Sequence, residues 1–233
     1  MSWALVTGSS ARGGAAISRR LHAAGLNIVA HHSPRSKDAT AALVAELNAL
    51  RPDSARPWEA DLAVPFDVPV WLRDLAPEHC ICNASVYRPS QLDDTARASE
   101  DLSVHVLAHA TILMALQDGL RSVVGVGDIH VERPPRGHVW YTVSKAGLQA
   151  LLMTLAVEWA PRVRCNVVAP GALPFPPDWS DPEREKAVLR SIPLGRLGTF
   201  DELAETVKWL TLDASYVTGQ VLALDGGRRR WLA

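Results

Sequence analysis

The sequence predicts an α/β fold, with one domain over residues 1–233 built on a doubly wound, seven-stranded parallel sheet that carries helices on both faces. Two observations predict it. Short β-type runs alternate with longer helix-type segments along the whole chain. Several of the β-type runs are apolar without polar alternation, which is typical of parallel strands buried on both faces. A chain of 233 residues is also long enough to bury one sizeable core.

The predicted elements follow this alternation. The strands are Trp3–Thr7, Asn27–His31, Arg56–Trp58, Cys80–Asn83, Ser122–Val126, Arg164–Val168 and Gln220–Leu224. The helices are Gly14–Ala24, Ser36–Leu50, Glu100–Gln117, Tyr141–Trp159 and Asp201–Leu210. The Pro-rich stretch Pro170–Glu183 is the longest irregular segment, and we expect it beyond the carboxyl end of a strand. There it would form a lid or substrate loop, with a plain surface loop as the alternative.

Composition narrows the partners and the compartment. The formal net charge is −1, so no overall field favours nucleic acid or an anionic membrane, and no apolar run is long enough to span a bilayer. The cluster Arg228–Arg230 is expected to be a solvated tail. The three cysteines, Cys80, Cys82 and Cys165, are expected to be small core residues in a reducing compartment. With no signal peptide at the start, cytoplasm is the predicted location.

A glycine-rich turn between the first strand and the first helix predicts a phosphate site. Gly8 suits the tight turn, Gly13 allows backbone amides to approach a pyrophosphate, and Gly14 allows the helix to pack closely on the sheet. The phosphates would then meet the helix N-terminus, where free N–H groups favour anions. Arg12 stands where such turns usually have glycine. A small-residue turn without a nucleotide is the alternative.

The second strand ends in a cationic, hydroxyl-rich segment. A site for NAD normally carries an acid there, whereas this chain has His32, Ser33 and Arg35 before any acid. Such a pocket suits a 2′-phosphate, so the sequence favours NADPH over NADH. Alternatively, Arg35 and Lys37 begin a solvated helix.

A tyrosine and a lysine four residues apart form the candidate catalytic pair. Tyr141 and Lys145 share one helical face, so the ammonium is expected to lower the pKa of the phenol and help it donate a proton. Asp128 lies thirteen residues before Tyr141, at a predicted strand end. A strand-end cap or an ion pair is the alternative reading of Asp128.

The order of motifs resembles the short-chain dehydrogenase/reductase family over almost the whole chain. The motifs are Thr7-Gly8-x-x-x-x-x-Gly14, Asp61-Leu62, Asn83-Ala84-Ser85, Tyr141-x-x-x-Lys145, Pro170-Gly171 and Asp225-Gly226-Gly227. The resemblance implies a Rossmann fold, a nicotinamide-dependent oxidoreductase and a homotetramer. It assigns to the cofactor Gly8, Ser10, Arg12, Gly13, Gly14, His32, Ser33, Arg35, Asp61, Leu62, Asn83, Ala84, Ser85, Tyr141, Lys145, Pro170, Gly171 and Leu173. No metal site is expected.

Within that family, Arg12, Asn83-Ala84-Ser85 and Asp128 resemble the pteridine reductase and dihydromonapterin reductase branch. This implies reduction of the C=N bond of a dihydropterin, with Asp128 and Tyr141 delivering the proton through water. Most relatives have serine at the position of Asp128. An ionised Asp128 would repel the alkoxide that forms when a ketone is reduced. The resemblance assigns to the substrate Arg12, Ser85, Tyr87 and Trp179. Tyr87 would stack on the pterin ring, or else pack beneath the lid.

Two departures and two other functions stay open. His105 stands where relatives have an asparagine that supports the lysine through a water; with His109 it is expected on a polar helix face. The Arg228–Arg230 tail could reach a neighbouring subunit's site. The alternative activities are carbonyl reduction, for instance of 3-oxoacyl thioesters, and NADPH binding without catalysis.

Overall fold

The computed structural model describes residues 1–176 and 181–230, and in this part of the chain seven strands form one parallel sheet. The strands are β1 Trp3–Val6, β2 Asn27–His32, β3 Ala55–Glu59, β4 His79–Cys82, β5 Ser122–Val126, β6 Arg164–Pro170 and β7 Val221–Leu224. They lie in the order β3-β2-β1-β4-β5-β6-β7. The predicted seven-stranded parallel sheet is therefore confirmed, with boundaries that move by one or two residues.

Eight α-helices cover the sheet in the described residues. They are α1 Arg12–Ala23, α2 Lys37–Leu50, α3 Val70–Leu75, α4 Thr95–Leu102, α5 Ala108–Leu116, α6 Val139–Glu158, α7 Pro182–Arg190 and α8 Phe200–Lys208. The predicted helix Glu100–Gln117 is wrong as one regular helix, because a π-helical turn over Ser103–Leu107 separates α4 from α5. The helices α3 and α7 were not predicted from the sequence.

Alternation along each strand divides the core into two halves. On β1, Leu5 packs in one half with Ile112 of α5 and Leu148 of α6. The neighbouring Val6 points to the other face and packs with Ile17 of α1. Since side chains alternate along a strand, both faces of an apolar strand need a cover of helices. The prediction of helices on both faces is confirmed.

The topology places a crevice at the carboxyl ends of β1 and β4. The chain moves from β1 outward through β2 and β3, and the strands after β4 extend the sheet in the opposite direction. In open parallel sheets, ligands bind where the strand order reverses in this way. The residues that follow β1 and β4 are therefore the place to look for a site.

The remaining general expectations concern the cysteines and the long loop. Cys80, Cys82 and Cys165 are buried free thiols, as predicted. The irregular Pro-rich segment ends sooner than expected, since α7 begins at Pro182 with Asp181 as its N-cap. None of the helices in residues 1–176 and 181–230 has the length and apolar character that a membrane crossing requires.

Candidate active site

The turn after β1 requires glycine at two positions. Gly8 has φ +66°, a left-handed conformation that glycine adopts without strain. At Gly14, a Cβ atom would lie 1.9 Å from the carbonyl oxygen of Gly8, so no side chain fits there. These two contacts bring the start of α1 directly against the turn.

The N-terminus of α1 is open to an anion. Its N-cap residue is Ala11, which has no side chain able to cap, and its first turn contains no acid. The first N–H groups of a helix have no partner within the helix, and they favour negative charge. The turn and this helix end thus fit the phosphates of a dinucleotide.

A cavity of about 550 Å³ lies beside the turn and extends past the ends of β2, β3 and β4. It has a size typical of cofactor sites. Most of the cofactor residues predicted from the sequence line it: Gly8, Ser10, Arg12, Gly13, Gly14, Ser33, Arg35, Asp61, Leu62, Asn83, Ala84 and Ser85.

The end of β2 differs in part from the expectation. His32 is buried outside the cavity wall, and its Nδ1 lies 2.9 Å from the carbonyl oxygen of Ser33. His31 lines the cavity instead: its Nδ1 accepts from the Gly8 N–H at 3.1 Å, so its Nε2–H donates to the Ala60 carbonyl. Burial lowers the pKa of His31 to about 3, so the ring is neutral. Sequence analysis missed this residue.

Four other predicted residues lie near β6 or outside the described chain. Pro170 ends β6, and the N–H of Gly171 donates to the carbonyl of Leu224 at 2.9 Å. Neither these two nor Leu173 lines the cavity beside the glycine turn. Trp179, predicted to contact substrate, lies outside the described residues.

Thr7 and Asn83 join the turn after β1 to the end of β4. The Thr7 hydroxyl oxygen accepts from the N–H groups of Asn83 and Ala84 at 2.8 and 2.9 Å. The Asn83 side-chain amide donates to the carbonyls of Thr7 and Gly8 at 2.9 and 3.1 Å. These bonds explain why threonine and asparagine suit the two strand ends at which the crevice opens.

Asp128 and Tyr141 are in direct contact. The Tyr141 hydroxyl donates to Asp128 Oδ2 at 2.5 Å, so no water separates them, in contrast to the expected water-mediated path. The other carboxylate oxygen, Oδ1, accepts from the N–H of His130 at 2.8 Å and caps the 3₁₀ turn Ile129–Val131. The reading of Asp128 as a cap is confirmed, while its part in proton delivery stays a prediction.

The expected effect of Lys145 on Tyr141 is wrong in this structure. Burial and the negative charge of Asp128 raise the pKa of Tyr141 well above its usual value of 10. Lys145 is fully buried, and its Nζ donates to the Val126 carbonyl at 2.8 Å and lies 5.9 Å from the centre of the Tyr141 ring. Burial lowers the pKa of Lys145 to about 8. Tyr141 therefore carries its proton at neutral pH.

Tyr87 packs against Tyr141 and is 48% exposed. The His138 ring stacks on it at 4.5 Å, and the Tyr141 ring meets it edge-on at 4.7 Å. Since His138 covers part of its surface, a substrate ring would need the uncovered part. Stacking of Tyr87 on substrate stays a prediction.

The Arg12 side chain holds the segment after β6. Its Nη2 donates to the Pro174 carbonyl at 2.5 Å and its Nη1 to the Phe175 carbonyl at 3.3 Å. The guanidinium also lies 5.0 Å from the centre of the Phe200 ring. Arg12 has φ +51°, which is unfavourable for a residue with a side chain. Arg12 thus links the glycine turn to the loop that was predicted to act as a lid.

His105 and His109 are buried inside the protein, so their predicted place on a polar helix face is wrong. His105 Nε2 accepts from the Val86 N–H at 3.1 Å and lies 2.9 Å from Ser85 Oγ, so Nδ1–H donates to Ser144 Oγ at 2.7 Å. Burial and the charge of Lys145 lower the pKa of His105 to about 2. The neutral ring therefore ties the loop after β4 to the helix that carries Tyr141 and Lys145.

Comparison with known proteins places the chain in a class of nicotinamide-dependent oxidoreductases. A family model described as enoyl-(acyl carrier protein) reductase matches residues 11–229. The chain is 31% identical to 3beta-hydroxysteroid dehydrogenase 1 of Eggerthella lenta, over 96% of this chain and 92% of that protein. It is 29% identical to glucose 1-dehydrogenase 2 of Bacillus subtilis, over 96% and 93%. A glucose 1-dehydrogenase of Gluconobacter oxydans is 34% identical, but the match covers only 60% of its length.

The chain belongs to the short-chain dehydrogenase/reductase family. The family match includes the Asp128–Tyr141 pair and all the residues that line the cavity except Gly8 and Ser10. Nicotinamide dinucleotides are the cofactors of this family, and oxidoreduction is its chemistry.

Proposed function

We propose that the protein is an NADPH-dependent reductase that transfers hydride to the C=N bond of a dihydropterin, such as dihydromonapterin or dihydrobiopterin, with dihydrofolate as a further substrate. The observation that carries the proposal is the carboxylate of Asp128 in hydrogen-bond contact with the phenol of Tyr141. A carboxylate beside the proton donor suits a substrate that offers N–H groups and that gains a proton on nitrogen.

The proton chemistry follows from the pair. Bound NADPH would supply the hydride. Hydride addition to a C=N bond leaves a nitrogen more basic than a phenolate, so Tyr141 can protonate it although burial and Asp128 raise the pKa of Tyr141. Asp128 holds the hydroxyl in a fixed direction, because its other oxygen is anchored on the N–H of His130. The carboxylate can then accept a hydrogen bond from an N–H of the pterin.

The preference for NADPH is supported by the cavity wall at the end of β2. Ser33, Arg35 and Ser36 line it, and the chain between β2 and Lys37 contains no acid. A guanidinium and two hydroxyls suit a 2′-phosphate, which a carboxylate at this place would repel.

The second candidate is a carbonyl reductase. Its support is sequence similarity, since two similar proteins are named as dehydrogenases of a hydroxysteroid and of glucose. Asp128 counts against it, because an ionised carboxylate repels the alkoxide that forms from a ketone.

One set of assays tests both candidates. NADPH oxidation is measured with dihydromonapterin and dihydrobiopterin, beside acetoacetyl thioesters and simple ketones. We expect kcat/KM to be highest with the pterins. Turnover of the ketones alone would contradict the pterin proposal.

We also infer assembly with copies of the same chain, in line with the expected homotetramer. Val143, Ala150 and Val157 recur every seven residues on α6 and are exposed, beside the exposed Leu107 and Met114. Soluble monomers rarely leave such an apolar face in water. Sedimentation of the purified protein tests it, with a monomer as the contradicting result.

A further inference from the structure

The chain's C-terminal arginines lie beside its own candidate active site. Arg133 Nη1 donates to the carbonyl of Arg228 at 2.5 Å, and Arg229 forms an ion pair with Glu132. Both Glu132 and Arg133 follow the 3₁₀ turn that Asp128 caps. The tail is therefore attached to the loop that leads from Asp128 to the catalytic helix, and it is not the solvated tail expected from the sequence.

Arg228 is the arginine of this group whose guanidinium has hydrogen-bond donors without a partner in the described residues. Its Nε donates to Ser191 Oγ at 2.9 Å, and its N–H donates to the Asp225 carbonyl at 3.1 Å. Within residues 1–176 and 181–230, its two terminal nitrogens have no hydrogen-bond partner and no carboxylate lies within 4 Å of the guanidinium. A guanidinium presents these two nitrogens as a planar fork that fits an oxyanion.

The nearby acids are already engaged by other groups. Glu132 pairs with Arg229 and lies 3.8 Å from Arg230. The Asp225 carboxylate accepts the N–H groups of Gly227 and Arg229 at 2.9 and 2.7 Å. Asp128, whose negative charge also acts on Arg228, is bonded to the Tyr141 hydroxyl and the His130 N–H. Arg228 is thus half-buried, next to the like charge of Arg133, and forms no ion pair with an acid of the described residues.

Arg228 also interacts electrostatically with the site. Burial lowers the pKa of Arg228, while the negative charge of Asp128 acts on it in the opposite direction. Burial raises the pKa of Tyr87, while the positive charges of Arg184 and Arg228 act on it in the opposite direction. Tyr87 stacks on His138 and meets the Tyr141 ring edge-on. The charges of Arg184 in α7 and of Arg228 in the C-terminal segment therefore both act on the ring that packs against Tyr141.

We propose that Arg228 binds an oxyanion of the substrate, a carboxylate or a phosphate ester, at the end of the molecule remote from the bond that is reduced. The position of the reduced bond rests on the proposed function. A half-buried cation beside another cation is unfavourable until a negative charge enters, which gives an anionic substrate an advantage over a neutral one.

The kinetic test compares a dicarboxylate pterin, dihydrofolate, with a neutral one, dihydrobiopterin. In Arg228→Gln we expect kcat/KM for dihydrofolate to fall about tenfold or more, mainly through KM, with a change below about threefold for dihydrobiopterin. Arg190→Gln is the matched control, since it removes the same charge from the exposed end of α7. Equal losses for both substrates in Arg228→Gln would overturn the inference.

A binding test separates this inference from the proposed function. Calorimetry measures 4-aminobenzoylglutamate, phenyl phosphate and neutral 4-aminobenzamide against the protein saturated with NADP⁺. We expect one or both anions, but not the amide, to bind the native protein and Arg190→Gln, and to lose affinity in Arg228→Gln. That result supports the subsite even if no pterin is reduced. Equal binding to all three proteins would overturn it even if pterins are reduced.

A third measurement guards against a variant that simply loses its fold. In the native protein, added NaCl should lower kcat/KM for dihydrofolate more steeply than for dihydrobiopterin, because salt screens the attraction of Arg228. Arg228→Lys should retain part of this salt dependence, since lysine keeps the positive charge but lacks the planar pair of terminal nitrogens. Parallel salt curves for the two substrates in the native protein would contradict the proposal.

Discussion

The Tyr141 hydroxyl donates a hydrogen bond of 2.5 Å to Asp128, thirteen residues earlier in the chain. The two residues come from different elements: Asp128 follows β5, and Tyr141 lies in the first turn of α6. The carboxylate is held by the His130 N–H on one side and by the phenol on the other. This arrangement fixes a protonated phenol next to a negative charge, which is the feature on which the proposed substrate class depends.

Replacing Asp128 by asparagine separates its two roles. Asparagine keeps an oxygen that can accept from the His130 N–H but removes the negative charge. We expect kcat/KM for dihydropterin to fall about a hundredfold or more, with the Kd for NADPH within about twofold of the native value. The pKa of Tyr141 should fall, since Asp128 raises it, and ultraviolet titration of the phenol measures this. Asp128→Ser should impair reduction similarly.

The contradicting result for Asp128 is a joint loss. If NADPH binding and turnover fall together in Asp128→Asn, and the melting temperature falls with them, the carboxylate is a structural cap of the 3₁₀ turn and not part of the proton path.

Replacing Arg35 by glutamine tests the choice of cofactor. Arg35 lines the cavity and is exposed, so its loss should leave the fold intact. We expect the Kd for NADPH to rise about tenfold and the Kd for NADH to change less than about twofold, because only NADPH carries the 2′-phosphate. Quenching or enhancement of nicotinamide fluorescence measures both constants. Lys37→Gln is the control, and equal weakening of both dinucleotides would contradict the assignment.

Replacing Arg12 by glycine relieves strain and removes a contact at once. Glycine adopts φ +51° freely, whereas an arginine there costs about 1 kcal/mol. The variant loses the hydrogen bonds to the carbonyls of Pro174 and Phe175. We expect an unchanged or higher melting temperature together with a KM for dihydropterin raised several-fold. Arg12→Lys is the control, because it retains the charge and the strained backbone. An unchanged KM in Arg12→Gly would show that the loop contact does not serve substrate binding.

The sheet was predictable from sequence because its strands are buried on both faces, and continuous apolar runs are typical of such strands. The helix α7 escaped prediction for the opposite reason: none of its residues is buried, so no apolar stripe marks it. Its N-cap Asp181 and the following Pro182 are signals of a helix start, but they lie within the predicted irregular segment Pro170–Glu183.

The polar parts of the site were harder to predict. Histidines at positions 105 and 109 suggest a polar surface, yet both are buried because Ser85, Ser144 and Thr7 supply hydrogen-bond partners from distant parts of the chain. The contact of Arg133 with Arg228 spans 95 residues of sequence. Motifs identified Asp128 and Tyr141, but the direction of the Tyr141 pKa depends on burial, which a sequence does not give.

Lys145 provides a test of burial through pH. Its pKa is lowered to about 8, against an ordinary value of 10.5, because the ammonium is buried. Between these two values the unfolded chain binds the proton and the folded protein does not, so folding becomes more favourable as the pH rises. Replacing Lys145 by methionine removes this dependence, while a loss of reductase activity is expected from the missing ammonium.

The difference in unfolding free energy between the native protein and Lys145→Met isolates that contribution, since Tyr141 is present in both. Measured by urea unfolding from pH 7 to pH 10.5, the native protein should gain about 3 kcal/mol relative to the variant, nearly all of it above pH 8. Lys37→Met, at an exposed position, should differ from the native protein by an amount that does not change over this range. If the difference in unfolding free energy between the native protein and Lys145→Met does not change with pH, the ammonium is solvated in the folded protein. Its proton would then be no more available to the site at neutral pH than the proton of an ordinary surface lysine.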